Sequence, residues 1–239
     1  MLILHDKRIP VEYLDRIRKL PLDAQLMPFD SGMPHDARVY GSILHHPDIY
    51  FFRLDHSTII HAPGLPENVL LPFREQGMDL IPGEKDPSGE YPDTAGYNAV
   101  RLGDMVIHNI KYSDPAIVRE TKRKGLEFIH VSQGYARCST VAAGENGMIT
   151  SDEGMADTLD KKGVDVLRIT SGSVILPGES YGFLGGSSGN IGDNAILFLG
   201  DVDLHPSGRQ IKEFISKREL NCLMLKDLPL FDAGSLLAI

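Results

Sequence analysis

MVIHNIKYSDPAIVRETKRKGLEFIHV, residues 105–131, carries a complete structural unit in one short stretch. An apolar run opens it, polar residues break the run, an amphipathic pattern follows, and a second apolar run closes it. Asp114 is suited to cap a helix, because its carboxylate can accept from amides that have no partner within the first turn. Pro115 has the φ that a first helical position needs and lacks the N–H that would be orphaned there. Gly125 supplies a left-handed stop, and the cations of TKRK just before it complement the helix dipole. The stretch therefore predicts strand, helix, strand.

The same order recurs in residues 2–29, 58–83, 147–170 and 201–227. In the fourth unit Asp152 and Gly163 hold the places of Asp114 and Gly125. The second unit departs, since Pro72 falls inside its helical pattern and predicts a shortened or kinked helix. Between units lie further short strands: SILHHPD (42–48), YNAVRLG (97–103), ARCSTVA (136–142) and YGFLGGSSG (181–189). The chain ends in an orphan strand, GSLLAI (234–239), while its first unit lacks a leading one. A tail that supplies the missing strand would close the array and remove an exposed sheet edge. The expected fold class is α/β, a closed ring of five ββαβ-type units, with residues 1–239 as a single domain.

Bulk composition narrows the function. Hydrophobic residues at 42% and charged residues at 24% are those of an ordinary globular protein, not of a disordered chain, collagen or coiled coil. A formal net charge of −9 opposes a nucleic-acid or anionic-membrane surface, either of which requires a cationic excess. No apolar run approaches the ~18 residues of a membrane span, and MLILHDKRIP is too short for a signal-peptide core, so a cytoplasmic protein is expected. Its two cysteines, Cys138 and Cys222, form neither a metal cluster nor a disulfide framework, and no metal or cofactor is expected. The glycine-rich GFLGGSSGNIG lacks the lysine of a phosphate loop, which argues against nucleotide binding. It suits close strand packing or a mobile edge to a site, with Ser187 and Ser188 able to hydrogen-bond a ligand.

Cys138 is either a nucleophile or a small core residue, whereas Cys222, in the alternating run NCLMLKD, reads as core. Histidines recur at His5, His61, His108 and His205, with Thr150 at the remaining place. Ends of second strands could converge on one opening; for His5 and His61 the simpler role is to cap a strand or bind a helix N-terminus. His46 is followed two residues on by Asp48, which on a strand shares its face and would orient the imidazole; His-Pro-Asp is equally ordinary turn chemistry. Asn98, Arg101, Asn109 and Lys111 sit at or beside strand ends and suit a carboxylate or another small polar ligand.

Taken together, HHPD, NAVRLGD, HNIKYSD, QGYARCST, ITSDEG, YGFLGGSSG and HPSG resemble a bacterial family of the pentein fold, the β/α propeller of guanidino-group-modifying enzymes. The resemblance spans the whole chain. It implies a cysteine thiolate that attacks a guanidinium carbon, a histidine that handles protons and carboxylates that hold the cation. Mapped here, Cys138 is the nucleophile, His46 or His205 the acid/base, and Asp48 with Asp152 the cation binders. Asn98, Arg101, His108, Asn109, Lys111, Ser187 and Ser188 are left to hold the rest of a small guanidino, amidino or amino-acid-like substrate. Pentein enzymes carry the cysteine near the C-terminus, so a site at Cys138 is rotated around the ring. A catalytic Cys138 beside Arg137 implies a thiol pKa below its usual value of about 8.5. The alternative is a non-catalytic pentein, like the ribosome anti-association factors, binding a small molecule, a protein or the ribosome.

Overall fold

Five three-stranded sheets repeat one hydrogen-bonding plan, in which the middle strand runs antiparallel to the first strand and parallel to the third. They are seen in a computed structural model that describes residues 1–32 and 39–239. The elements begin with β1 (Leu2–Asp6), α1 (Val11–Ile17), β2 (Gln25–Phe29), α2 (Pro47–Tyr50), β3 (Phe51–Arg53), β4 (Thr58–His61), α3 (Glu67–Glu75) and β5 (Asp79–Pro82). Next come β6 (Val100–Leu102), β7 (Met105–His108), α4 (Pro115–Arg123), β8 (Glu127–His130), β9 (Thr140–Ala143), β10 (Gly147–Thr150), α5 (Glu153–Asp160) and β11 (Asp165–Arg168). The chain finishes with β12 (Val174–Ile175), β13 (Ser188–Ile191), β14 (Ala195–Phe198), α6 (Gly208–Ser216), β15 (Asn221–Met224), β16 (Leu230–Phe231) and β17 (Leu237–Ala238). The sheets are β17-β1-β2, β3-β4-β5, β6-β7-β8, β9-β10-β11 and β13-β14-β15, and β12 pairs with β16 in a small parallel sheet of its own.

Each parallel pair needs a crossover, and one α-helix supplies it in each of the five three-stranded sheets. The opening stretch folds as its residues dictate. Asp114 Oδ1 accepts from the amide of Ala116 at 2.8 Å, and Gly125 ends the turn at φ +70°. Asp152 caps α5 in the same way through the amide of Met155, with Gly163 at φ +79°. Pro72 lies inside α3 without ending it. Middle strands such as TIIH and AILF are buried along their whole length, and the third strands are half exposed, so the apolar content of each unit sits on its middle strand.

The tail completes the first sheet. Ile3 faces Ala238 and Leu4 faces Leu237 across an antiparallel ladder, extended by mutual bonds between Leu2 and Ile239.

Three expected strands begin elsewhere. Residues 42–45 of the SILHHPD stretch belong to a turn that leads into α2, and the strand starts only at Phe51. Cys138 lies in a turn at 136–139, ahead of β9, and residues 184–187 form the matching turn ahead of β13. In the fifth unit the middle strand is AILF, not the DVDL segment that precedes His205. Asp201 accepts from the amides of Asp203 and Asp227, which bends Val202–Leu204 into a 3-10 turn. His205 therefore has no strand-end equivalence to His5, His61 and His108; that place belongs to Phe198.

Deleting residues 234–239 exposes the edge of β1 and removes buried Leu236 from the apolar cluster that holds Ile3, and each large apolar side chain whose burial is lost costs about 1.5–3 kcal/mol. A marked fall in melting temperature is expected; an unchanged one would contradict the pairing. A second expectation concerns acid. Burial depresses the pKa values of His5, His46, His61 and His205, and that of His108 to about 4. A depressed histidine contributes stability above its unfolded pKa of about 6.5, and that stability is lost as the pH falls through its folded value. Denaturant midpoints should fall steadily below about pH 6.5. A midpoint constant between pH 7.5 and 5, measured by urea titration, would refute this.

Candidate functional site

Four chain-distant segments meet at Cys138. Its turn is held by Asn98, whose Oδ1 accepts from the amides of Arg137 at 2.8 Å and Cys138 at 3.1 Å, while Nδ2 donates to Cys138 Sγ at 3.1 Å and to the carbonyl of Asp48 at 3.3 Å. Asn98 thus positions both the backbone and the sulfur. From α2 comes Asp48, whose Oδ2 accepts from Cys138 Sγ at 3.0 Å and from Ser235 Oγ at 2.6 Å. Ser235 adopts φ +68°, a strained value for a residue with a side chain, and that backbone delivers its hydroxyl to Asp48.

The fourth segment is the glycine-rich one. The amide of Gly186 donates to the carbonyl of Cys138 at 3.0 Å. A side chain on Gly185 would lie 2.2 Å from the carbonyl oxygen of Thr140 and 2.4 Å from those of Arg137 and Cys138. This stretch acts by close approach, not as a mobile edge. Ser187 and Ser188 point their hydroxyls at carbonyls of their own turn, Leu184 and Gly185.

Cys138 opens on a cavity of about 420 Å3, lined also by His46, Asp232, Tyr40, Tyr135 and Phe183, with Glu179. His46 is buried, with Nδ1 4.0 Å from Asp232 Oδ1 and Nε2 3.8 Å from Asp6 Oδ2. Asp232 is anchored by the amides of Phe183 and Gly234 at 2.8 and 3.0 Å. Neither Asp6 nor Asp232 was among the residues the sequence pointed to. In DAGS, Asp232 was hidden behind the strand signal of the tail that follows it.

The electrostatics reverse one expectation. Burial, and then the charges of Asp48 and Asp232, push the Cys138 thiol well above its ordinary pKa, so the resting sulfur is a protonated donor. The Arg137 guanidinium, which donates to the carbonyls of Thr140, Gly185 and Ser188, does not outweigh these effects. Burial also raises Asp48 and Asp232 and lowers His46, leaving the imidazole neutral.

Of the expected site residues, Cys138, His46, Asp48 and Asn98 come together. His205 does not line the cavity; its Nδ1 accepts from the amide of Ser207. His108 is tied between Ser113 Oγ at 2.6 Å and the carbonyl of Gly134 at 2.7 Å, and Asn109 donates to the carbonyl of Ser132. Lys111 is exposed on the same loop. Asp152 caps α5 and accepts from Gln133 Nε2. Arg101 lines a different cavity. The second cysteine, Cys222, is half-buried against an apolar cluster.

A family model matches residues 6–237, nearly the full chain. The chain belongs to the family of unknown function DUF6873. No curated protein matches it by sequence. Among solved structures it is similar to DDAH from Pseudomonas aeruginosa complexed with citrulline, with a TM-score of 0.57 and 11% identity over 94% of this chain and 91% of that one. Inosamine-phosphate amidinotransferase from Streptomyces griseus gives 0.54 and 12%, over 92% and 76%. Agmatine deiminase from C. jejuni gives 0.53 and 12%, over 94% and 75%. These are guanidino-modifying enzymes of the pentein fold, and the likeness of this DUF6873 member to them is one of fold.

Asn98→Ala removes the acceptor of the buried Cys138 amide, while the Arg137 amide keeps the backbone carbonyl of Asn98, so a loss of about 1–3 kcal/mol is expected in denaturant unfolding. A loss under about 1 kcal/mol would show that the turn holds itself without this side chain.

Proposed function

We propose that residues 1–239 form one cytoplasmic pentein domain, a closed ring of five units, and that it is a cysteine-dependent hydrolase or amidinotransferase of a small guanidino or amidino compound. Closure is supported by bonds that join neighbouring sheets: Asn190 Nδ2 to Ala142 O at 3.3 Å, the Leu236 amide to Ser188 O at 3.0 Å, and Arg53 Nη1 to Ala238 O at 2.5 Å. The observation that carries the activity is that Cys138, His46 and Asp232 line one cavity, with the sulfur held by Asp48 and Asn98. A buried thiol without polar partners would have favoured a non-catalytic binding factor.

The raised thiol pKa fits a site that waits for its cation. Two buried carboxylates oppose the thiolate while the cavity holds no positive charge, and a guanidinium against Asp232 would offset them. As the Sγ–C bond forms at the guanidinium carbon, the thiol proton passes to neutral His46. His46 returns it to the nitrogen that departs as the C–N bond breaks, leaving an amidino group on Cys138. Water or an acceptor amine then attacks that carbon and gives a proton to His46, which passes it to the sulfur as the Sγ–C bond breaks, restoring the thiol and the neutral imidazole. The general base and acid are the same imidazole at successive steps.

Labelling distinguishes this chemistry from an inert thiol. Neutral iodoacetamide should modify Cys138 slowly at pH 7 and faster toward alkaline pH, whereas a haloacetamidine, which brings its own cation, should modify it readily at pH 7 and spare Cys222. Arginine-like ligands should protect it. Equal or negligible labelling of both cysteines, counted by peptide mass spectrometry and insensitive to ligand, would end the enzymatic proposal.

A further inference from the structure

Behind the Cys138 layer lies a second cavity of about 310 Å3, which the chemistry above does not use. Inner-strand residues Phe52, Arg53, Arg101 and Asn190 line it, and Asp48 and Ser235 form its wall toward Cys138. Two buried polar atoms on this cavity's residues have no hydrogen-bond partner among the described residues: Arg101 Nη1 and Asp48 Oδ1. The other guanidinium groups on the wall are engaged. Arg53 donates to the carbonyls of Asp55 and Ala238, and Arg137 to three carbonyls of the Cys138 and glycine-rich turns. The nearest carboxylate to Arg101 is that of Asp104, 3.7 Å from Nη2 and 99% exposed. Asp55, also on the wall, is paired with Lys124 at 2.7 Å.

A buried donor without an acceptor and a buried acceptor without a donor each cost free energy, and native structures hold few of either. Here one of each belongs to residues that line the same cavity, and they are of opposite charge type. A guanidinium selects a carboxylate, and a carboxylate selects an ammonium. We propose that this cavity is a second ligand site for a small zwitterion of the amino-acid class, its carboxylate on Arg101 and its ammonium on Asp48. The site is coupled to Cys138, because Asp48 Oδ2 accepts from Sγ on the opposite side of the same carboxyl group. An ammonium on Oδ1 offsets the charge that opposes the thiolate, so occupancy makes Cys138 more reactive.

Calorimetry on the full chain at pH 7 tests the site with glycine, β-alanine and γ-aminobutyrate, which hold the two charges progressively further apart. Acetate and ammonium ions serve as the separated halves. At least one zwitterion should bind saturably, neither separate ion should match it, and Arg101→Gln and Arg101→Lys should each weaken it at least about tenfold through loss of the forked bond. The lysine variant keeps the charge should the glutamine variant fail to fold. Chain already labelled at Cys138 should bind the zwitterion equally well, and in unlabelled chain the zwitterion should speed iodoacetamide labelling of Cys138 severalfold over that of Cys222. No saturable binding, binding equal in both Arg101 variants, acetate binding as tightly, or loss of binding on labelling overturns the site. Unchanged labelling overturns the coupling. An inert Cys138 would refute the enzymatic proposal while the calorimetric result stood.

Discussion

The buried carboxyl group of Asp48 is the constraint on which the site depends. A carboxylate removed from water is costly unless hydrogen bonds replace its hydration. Here the replacements come from Cys138 and Ser235, two residues far apart in the chain. Holding one oxygen of that side chain, Oδ2, therefore ties α2, the turn ahead of β9 and the segment ahead of β17 into one arrangement. The same group sets the state of the sulfur, since its charge, added to burial, keeps Cys138 protonated.

Around this centre the fold supplies rigidity of two kinds. Main-chain atoms are held by polar side chains, as Asn98 holds the amides of Arg137 and Cys138 and Arg137 holds three carbonyls. Other parts are held by the absence of a side chain, as at Gly185, where the backbone reaches the carbonyls of the cysteine turn. Both devices place turns, not strands, around Cys138. The sheets beneath them bury their middle strands and leave the turns to meet.

That arrangement also accounts for what the histidines do. His5 and His61 each bond through Nδ1 to the carbonyl of the next residue at 2.8 Å, and His108 bridges two loops. They close strand ends. Among the described residues only His46 of the histidines shares the cavity of Cys138, and it does so from the N-cap position of the short helix α2. A neutral imidazole beside Asp232 and a protonated thiol beside Asp48 form a poised pair whose balance a bound cation can shift.

Residues 105–131 were enough to read strand, helix and strand, because caps, stops and apolar periodicity act within a few residues of one another. Four of the repeats and the pairing of the tail with β1 were legible for the same reason, since an unpaired edge and an orphan apolar strand are both visible in the chain; the fifth was read from DVDL, where the structure has AILF as the middle strand. Cys138, His46, Asp48 and Asn98 could be singled out as residue types suited to chemistry. Their meeting could not be derived from local signals, since Asp48 and Ser235 are joined by a contact across most of the chain and periodicity carries no information about such pairs. Nor could the thiol's state be read from its neighbour Arg137, because adjacency in sequence says nothing of where a guanidinium points. Burial and the direction of hydrogen bonds decided both, and these exist only once the turns have packed together.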